Sequence, residues 1–309
     1  NTVVEDDGLF EVYFCPREDC ESALISALQS AESSLHCALF DIGLASVQNV
    51  LLEKQGGEKN SEEEKISEEK TGNEEAGGEK ASREKASKID VKVITDNDYL
   101  KKFNYNFVKA DSGGLMHNKF CIIDGKIVVA GSMNPTENDA KKNNNNLVLI
   151  ESTVLSTNYE DEFAEMWGGT FKKGAPVRNP RVKLNEPNRN ILIENYFCPE
   201  DQCAQRVKDE LEKAAFSVHF MTFSFTQEGI ANILLLKQRD GINIKGVMET
   251  RQISKYSQFK RLVNNGVNVV KDANKNNMHH KVFIIDEHTV ITGSFNPTNN
   301  GDKGNDENI

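Results

Sequence analysis

Residues 116–136, MHNKFCIIDGKIVVAGSMNPT, return 162 positions later as residues 278–298, MHHKVFIIDEHTVITGSFNPT. Each copy alternates, turns at Asp-Gly or Asp-Glu-His, and alternates again, which is the pattern of a β-hairpin. Successive strand residues point to opposite faces, so His117 shares a face with Lys119, and His279 with Lys281. The match extends outward in both directions. YFCPREDC from residue 13 returns as YFCPEDQC from residue 196, now 183 positions apart. Leu24, Leu28 and Ala31 map at helical spacing onto Val207, Leu211 and Ala214. SLHCALFDI (34–42) maps onto SVHFMTFSF (217–225), and VLLEKQ (50–55) onto ILLLKQ (233–238). Both halves therefore read helix, strand, helix before reaching the hairpin. IDVKVITD (89–96) matches INIKGVMET (242–250) at an offset of 153, so the first half carries about 30 extra residues.

Those extra residues are the stretch 56–88, almost wholly Glu, Lys, Gly, Ser and Ala, with Ile66 its only large apolar residue. Such a composition buries too little surface to offset the entropy of ordering, and predicts a disordered or loosely helical surface loop. The repeat divides the chain into a first domain at 1–170, closing on a helix at Tyr159–Trp167, a linker at 171–187 bearing Gly, Lys and Pro, and a second domain at 188–309. The partner of the closing helix would fall beyond Ile309, which predicts a second domain truncated at its C-terminus.

The 309 residues suit two domains and exclude a peptide-sized module. No run approaches the roughly 18 consecutive apolar residues of a membrane helix. Asn1 to Asp7 lack a basic, apolar signal pattern, and an export leader or anchor removed earlier would leave the same start. With 37 basic and 48 acidic residues the net charge is −11, which argues against coating duplex DNA with a broad positive face but leaves room for a small basic site. Four of the six cysteines form two identical spacings, Cys15 with Cys20 and Cys198 with Cys203. Short local disulfides are the favoured reading, and with them an exported or cell-surface protein; zinc ligation and buried thiols are the alternatives. Cys37 and Cys121 lie in apolar runs and read as core residues.

The duplicated segments share the form H-x-K-x4-D-x6-G-S-x-N: His117, Lys119, Asp124, Gly131, Ser132 and Asn134, then His279, Lys281, Asp286, Gly293, Ser294 and Asn296. This resembles the phospholipase D superfamily. The resemblance covers nearly the whole chain apart from the insertion and linker. It implies an α/β fold of two tandem α-β-α sandwich domains related by a pseudo-twofold axis, one phosphodiesterase site at their interface, and no metal or other cofactor.

The residues have the chemistry for that reaction. A phosphodiester is an anion that repels hydroxide, so its cleavage benefits from cations and hydrogen-bond donors around the phosphoryl oxygens, which Lys119, Lys281, Asn134 and Asn296 can supply. One imidazole can attack phosphorus while a second protonates the leaving oxygen, and His117 and His279 fit those roles. Gly131 and Gly293 would let substrate approach the backbone, with the hydroxyls of Ser132 and Ser294 offering further hydrogen bonds. Asp124 and Asp286 end the first hairpin strands on the face opposite the His-Lys pairs and read as turn or backbone-binding residues. His36, His219, His280 and His288 stand outside the repeated His-Lys pairs and read as structural, and Met116 and Met278 as packing.

The resemblance also implies an acidic residue after the G-S-x-N segment that orients a catalytic imidazole. Glu307, 28 residues after His279, matches it; Asn145 stands 28 residues after His117. A carboxylate stabilises an imidazolium and an amide does not, so His279 is expected to have the higher pKa and to be the proton donor, leaving His117 as the nucleophile. Three readings of the activity follow: a nuclease acting on single-stranded or flexible nucleic acid, ranked first; a phospholipase D or phosphatidyl transferase acting on phospholipid head groups; and a non-catalytic binding protein. Both half-sites lie in one chain, so no obligate protein partner is expected and a monomer suffices.

Overall fold

The computed structural model describes residues 2–56 and 89–309. The surface loop predicted at 56–88 lies, from residue 57 onward, outside the described residues. The first half runs β1 (Val4–Asp7), β2 (Phe10–Cys15), α1 (Cys20–Gln29), β3 (Ser34–Leu39), α2 (Ala45–Gln55), β4 (Asp90–Thr95), β5 (Val108–Ala110), β6 (Leu115–Met116), β7 (Lys119–Ile123), β8 (Ile127–Gly131), α3 (Glu137–Lys141), β9 (Asn145–Glu151) and α4 (Thr153–Trp167). A connecting hairpin, β10 (Arg181–Glu186) and β11 (Arg189–Glu194), leads into the second half. There follow β12 (Phe197–Cys198), α5 (Cys203–Glu212), β13 (Ser217–Thr222), α6 (Glu228–Arg239), β14 (Asn243–Met248), α7 (Phe259–Asn264), β15 (Asn268–Lys271), β16 (Lys281–Ile285), β17 (Thr289–Ile291), α8 (Asn299–Lys303) and β18 (Asn305–Asn308).

Each half is a mixed sheet built around the duplicated hairpin. The first sheet has the order β2-β9-β8-β7-β3-β4-β5 and the second β15-β14-β13-β16-β17. The hairpins turn as their residues dictate. Asp124 and Gly125 both take positive φ, 54° and 60°, and the Lys126 amide donates to the Ile123 carbonyl at 2.9 Å, so the turn follows the twist of the strands. In the second half Asp286 and Glu287 carry the positive φ values. The carboxylate at the head of each turn tolerates that conformation because it is tied down. Asp124 accepts from the Ser33 and Ser34 amides, and Asp286 from those of Ala215, Phe216 and Ser217.

Helices α1 and α2 cover one face of the first sheet through Leu24, Leu28, Val47 and Leu51. Helix α4 covers the other, with Tyr159 and Phe163 against Phe120 and Ile122. In the second half α5 and α6 bury Val207, Leu211, Ile230 and Leu234 against Phe220 and Phe283. The stretch read as a linker is irregular only as far as Pro180, because Arg181–Glu186 forms β10 and pairs in parallel with β1. Among the described residues no helix is long and apolar enough to cross a membrane.

All six cysteines are bonded. Cys15–Cys20 and Cys198–Cys203 close two local loops, each with a sequence separation of 5. Cys37 and Cys121, expected as core thiols, form a third disulfide across 84 residues. They lie in the core, at 0% and 1% exposure, but directly opposite each other on antiparallel β3 and β7, with Cα atoms 4.1 Å apart.

Candidate active site

The two halves hold each other's histidines. Strand β18 runs parallel to β6, pairing Asp306 with Met116, and Asn144 forms the matching bridge to Met278. The His117 amide thus donates to the Asp306 carbonyl at 2.9 Å, and the His279 amide to the Asn144 carbonyl at 2.8 Å. The side chains cross in the same way. Nδ1 of His117 lies 2.8 Å from Oε2 of Glu307, and Nδ1 of His279 lies 2.9 Å from Oδ1 of Asn145. With Nδ1 engaged in each ring, Nε2 is the nitrogen left to meet a substrate.

This corrects the expected pairing. Glu307 follows His279 in sequence but serves His117, because the strand that carries it leaves its own hairpin and runs beside β6 of the other half. The direct carboxylate partner therefore belongs to His117, and the argument that gave His279 the higher pKa loses its premise.

The remaining motif residues form two similar shells. Lys119 donates to the His117 carbonyl at 2.6 Å and Lys281 to the His279 carbonyl at 2.7 Å. Each ammonium sits 5.0 Å from the ring centre of an aromatic residue, Phe40 or Phe223, and the same ring meets the histidine edge-on at 4.9 Å or 4.6 Å. Sequence reasoning did not single out these phenylalanines, although they occupy matching places in the SLHCALFDI and SVHFMTFSF repeats. It also passed over Asp96 and Glu249, buried acids at corresponding strand ends, which accept from the Met116 amide at 3.2 Å and the Met278 amide at 2.7 Å. These bonds fix the backbone one residue before each histidine.

The glycine-serine pairs act within the protein. A Cβ on Gly131, at φ 139°, would lie 2.4 Å from the Asn146 carbonyl oxygen, and one on Gly293, at φ 154°, 2.2 Å from that of Asn308. The glycines thus admit the strand bearing Asn145 or Glu307 rather than a substrate. Ser132 donates to Asn145 Oδ1 at 2.9 Å and accepts from the Asn146 amide; Ser294 accepts from the Asn308 amide at 2.9 Å. Both hydroxyls are committed to these strands. Asn134 donates through Nδ2 to Asp139 at 2.7 Å, and the Oδ1 atoms of Asn134 and Asn296 are buried without a hydrogen-bond partner among the described residues. Asp124 and Asp286 remain at the hairpin turns, bound to backbone amides. Of the other histidines, His36 lies between Glu160 and Asp90 and stacks on Phe163, and His288 contacts backbone carbonyls.

The centre is buried, with His117 and His279 each 7% exposed. Burial holds both imidazoles well below their ordinary pKa, and Lys119 and Lys281 add to the depression. Burial likewise lowers Lys119 to about 8 despite the opposing pull of Glu307, and places Lys281 well below the usual ammonium range. Glu307 is pushed up to about 7 by burial, against the attraction of Lys119. Four groups able to take a positive charge, crowded in one small space, raise one another's cost of charging, and a bound anion would relieve it. The arrangement brings two imidazoles and two lysine side chains from opposite halves to one place, a set of groups that can receive an anion.

A family model described as "Cardiolipin synthase, PLD-like domain" matches residues 24–167 and 207–309. The chain belongs to the phospholipase D-like family. It is 30% identical over 166 residues to a protein named phospholipase D from Rickettsia prowazekii, covering 52% of this chain and 76% of that protein. It is 34% identical over 89 residues to the mitochondrial cardiolipin hydrolase of Xenopus laevis, covering 26% of this chain and 42% of that relative, so it spans less than half of the latter's length. The phosphatidylserine synthase of Haemophilus influenzae superposes over 97% of this chain and 82% of its own, with a TM-score of 0.63 and 11% identity. That similarity shows the shared fold of paired phospholipase D-like domains. The protein is accordingly a phospholipase D-superfamily phosphodiesterase.

Proposed function

We propose that the chain is a metal-independent phosphodiesterase that cleaves single-stranded nucleic acid through a covalent phosphohistidine. The observation that supports this reading best is the crossed holding of the two imidazoles, each fixed at Nδ1 by the opposite half. His117 Nε2 attacks phosphorus, the bond from phosphorus to the leaving oxygen breaks, and that oxygen takes the proton from His279 Nε2. Neutral His279 then removes a proton from water, whose oxygen attacks the same phosphorus and displaces His117. Glu307 stabilises His117 as it gains positive character, while Lys119 and Lys281 balance the phosphoryl oxygens.

Features around the site support this substrate class. Loops after β4 and β14, at the strand ends nearest the histidines, expose Lys101 and Lys255, together with Lys102 paired to Asp41 and Arg251 paired to Glu249, in an otherwise acidic chain. Tyr99 rests edge-on against Phe40, which itself touches His117, so an aromatic path leads from the imidazole to the rim. Lys102 lies 4.6 Å over Tyr99, and Lys255 4.8 Å over the exposed Tyr256. Paired cations and aromatic faces suit unstacked bases on a phosphate backbone. A second reading, phospholipid cleavage, is favoured by the names of the relatives, phospholipase D and cardiolipin hydrolase. The three disulfides support an oxidising compartment in either case.

Labelled single-stranded DNA and cardiolipin vesicles, each offered in EDTA, separate these readings. Cleavage of DNA alone, lost in His117→Ala, is the expected result. Cleavage of vesicles alone selects the lipid reading, and inactivity that metal restores overturns the mechanism.

A further inference from the structure

The repeat is broken at two places that face the same imidazole. Residues 143–146, Asn-Asn-Asn-Asn, correspond to residues 305–308, Asn-Asp-Glu-Asn, so Asn145 stands where the second half has Glu307. Six residues earlier, Asp139 stands where the second half has Gly301. The surrounding turn is otherwise alike: Thr136 and Thr298 cap α3 and α8 by accepting from the amides of Asp139 and Gly301. The second half has no room for a side chain there. A Cβ on Gly301 would lie 2.4 Å from the Asn296 carbonyl oxygen.

Asp139 is 4% exposed, and its Oδ2 lies 3.6 Å from Nδ1 of His279. We propose that Asp139 is a positioning residue that gives His279 the negative charge Asn145 lacks, so that the work of one carboxylate at His117 is divided at His279 between an amide acceptor and a displaced carboxylate. Asn145 Oδ1 accepts a hydrogen bond from the Nδ1–H and sets the ring, and Asp139 stabilises the ring when both nitrogens carry protons. The inference rests on the proposed mechanism for its kinetic part, in which His279 must be protonated to release the leaving oxygen.

The division leaves the two histidines unequal. Glu307 bonds His117 directly, whereas Asp139 spreads its charge over the Asn134 amide at 2.9 Å, Asn134 Nδ2 at 2.7 Å and Asn143 Nδ2 at 2.6 Å. Other charged groups facing His279 are Lys281, two residues further along the chain, and Lys119 and His117 from the opposite half; all three disfavour the imidazolium. Asp139 is the group that opposes them. Although burial works against its ionisation, His279 and the amide donors hold its carboxyl below the ordinary value. The same pairing that favours the Asp139 carboxylate favours a positive charge on His279.

A loop-bracing role for Asp139 alone would account for its bonds to Asn134 and Asn143, so the test must read charge at His279. In Asp139→Asn, NMR titration should place the His279 pKa about 1 to 3 units lower, the range for loss of an opposite charge at this distance. The alkaline limb of the pH-rate profile should fall with it. Turnover should drop at least about tenfold on a diester with a poor leaving group and change little on bis(p-nitrophenyl) phosphate, whose leaving group needs no proton. Adding Asn145→Glu to Asp139→Asn should restore the limb. An unchanged His279 titration and an unshifted limb in Asp139→Asn would overturn the proposal.

If Asp139→Asn does not fold, reciprocity provides the second measurement. In His279→Ala the Asp139 carboxyl, followed by carbon NMR, should titrate at higher pH than in the unsubstituted protein, and an unchanged value would overturn the proposal. Both titrations are read without turnover. A shifted His279 pKa in a protein that cleaves none of the substrates would therefore uphold the charge pairing while removing the proposed function.

Discussion

At the level of single residues, the site is two similar half-shells distinguished by their partners. His117 has a buried carboxylate at hydrogen-bond distance, and His279 has an amide with a carboxylate behind it. A carboxylate at Nδ1 supports a nucleophile that becomes positively charged as its Nε2 bonds to phosphorus, which favours the proposed attack by His117. Rapid acid quench with a 32P-labelled diester should therefore map a phosphohistidine to His117 and none to His279. The variant His279→Ala should still form the adduct from bis(p-nitrophenyl) phosphate, and label on His279 in the unsubstituted protein would reverse the assignment. Glu307→Gln keeps an acceptor but removes the charge, and should lower kcat by about 10²- to 10⁴-fold, the range for a group that orients and stabilises a catalytic histidine. A loss confined to KM would show instead that Glu307 only shapes the pocket.

At the level of elements, the glycine at the end of each hairpin sets how closely a neighbouring strand can approach. Gly293→Ala would drive its Cβ against the Asn308 carbonyl and force a side chain into positive φ, pushing β18 and Glu307 away from His117. The expected result is a loss of about 2 kcal/mol or more in stability and a fall in kcat resembling that of Glu307→Gln. Full activity with a reduced urea midpoint would separate the two effects and contradict the coupling. The disulfides differ by the length of chain they close. The Cys37–Cys121 bond spans 84 residues and the other two span 5 each, so chain-entropy arguments give about 4 to 5 kcal/mol against about 2 kcal/mol. Replacing Cys37 and Cys121 by alanine should lower the urea-unfolding free energy by more than replacing Cys15 and Cys20, and equal losses would contradict loop length as the cause. The sequence disclosed the hairpins and local cysteine pairs because turn chemistry, alternation and short spacing are local signals. It did not disclose the Cys37–Cys121 bond, which depends on β7 inserting beside β3, nor that Glu307 reaches the other half's histidine. A repeat preserves position along the chain but says nothing about which copy a side chain faces. Asp139 was hidden for a related reason: its counterpart is a glycine, so the comparison that exposed the motif passed over it.

For the whole molecule, the contact between halves combines the active centre with a buried acidic junction. Glu162 on α4, Glu200 before α5 and Asp306 on β18 meet there; burial raises all three pKa values, Asp306 to about 7 and Glu162 well above its ordinary 4.5. A carboxyl whose folded pKa is raised contributes stability that is fully present below its unfolded pKa and is lost as pH rises through the folded value. Glu162→Gln mimics the protonated acid, so the variant's gain in Tm over the unsubstituted protein should grow from pH 5 to pH 8; a constant difference would show that the folded-state pKa of Glu162 is not raised into that range. The same junction bears on assembly. Each histidine takes its Nδ1 partner from the other half of its own chain, so one chain contains every group in the proposed reaction. His117→Ala and His279→Ala chains mixed at equal concentration should remain inactive, because neither can lend a histidine to the other without unpairing β18 from β6. If halves exchanged between chains, half of the resulting two-site dimers would include one intact site and activity would return with a concentration-dependent lag. Recovery of that kind would mean the contact opens on the timescale of mixing, and that the site is completed by association rather than by the chain alone.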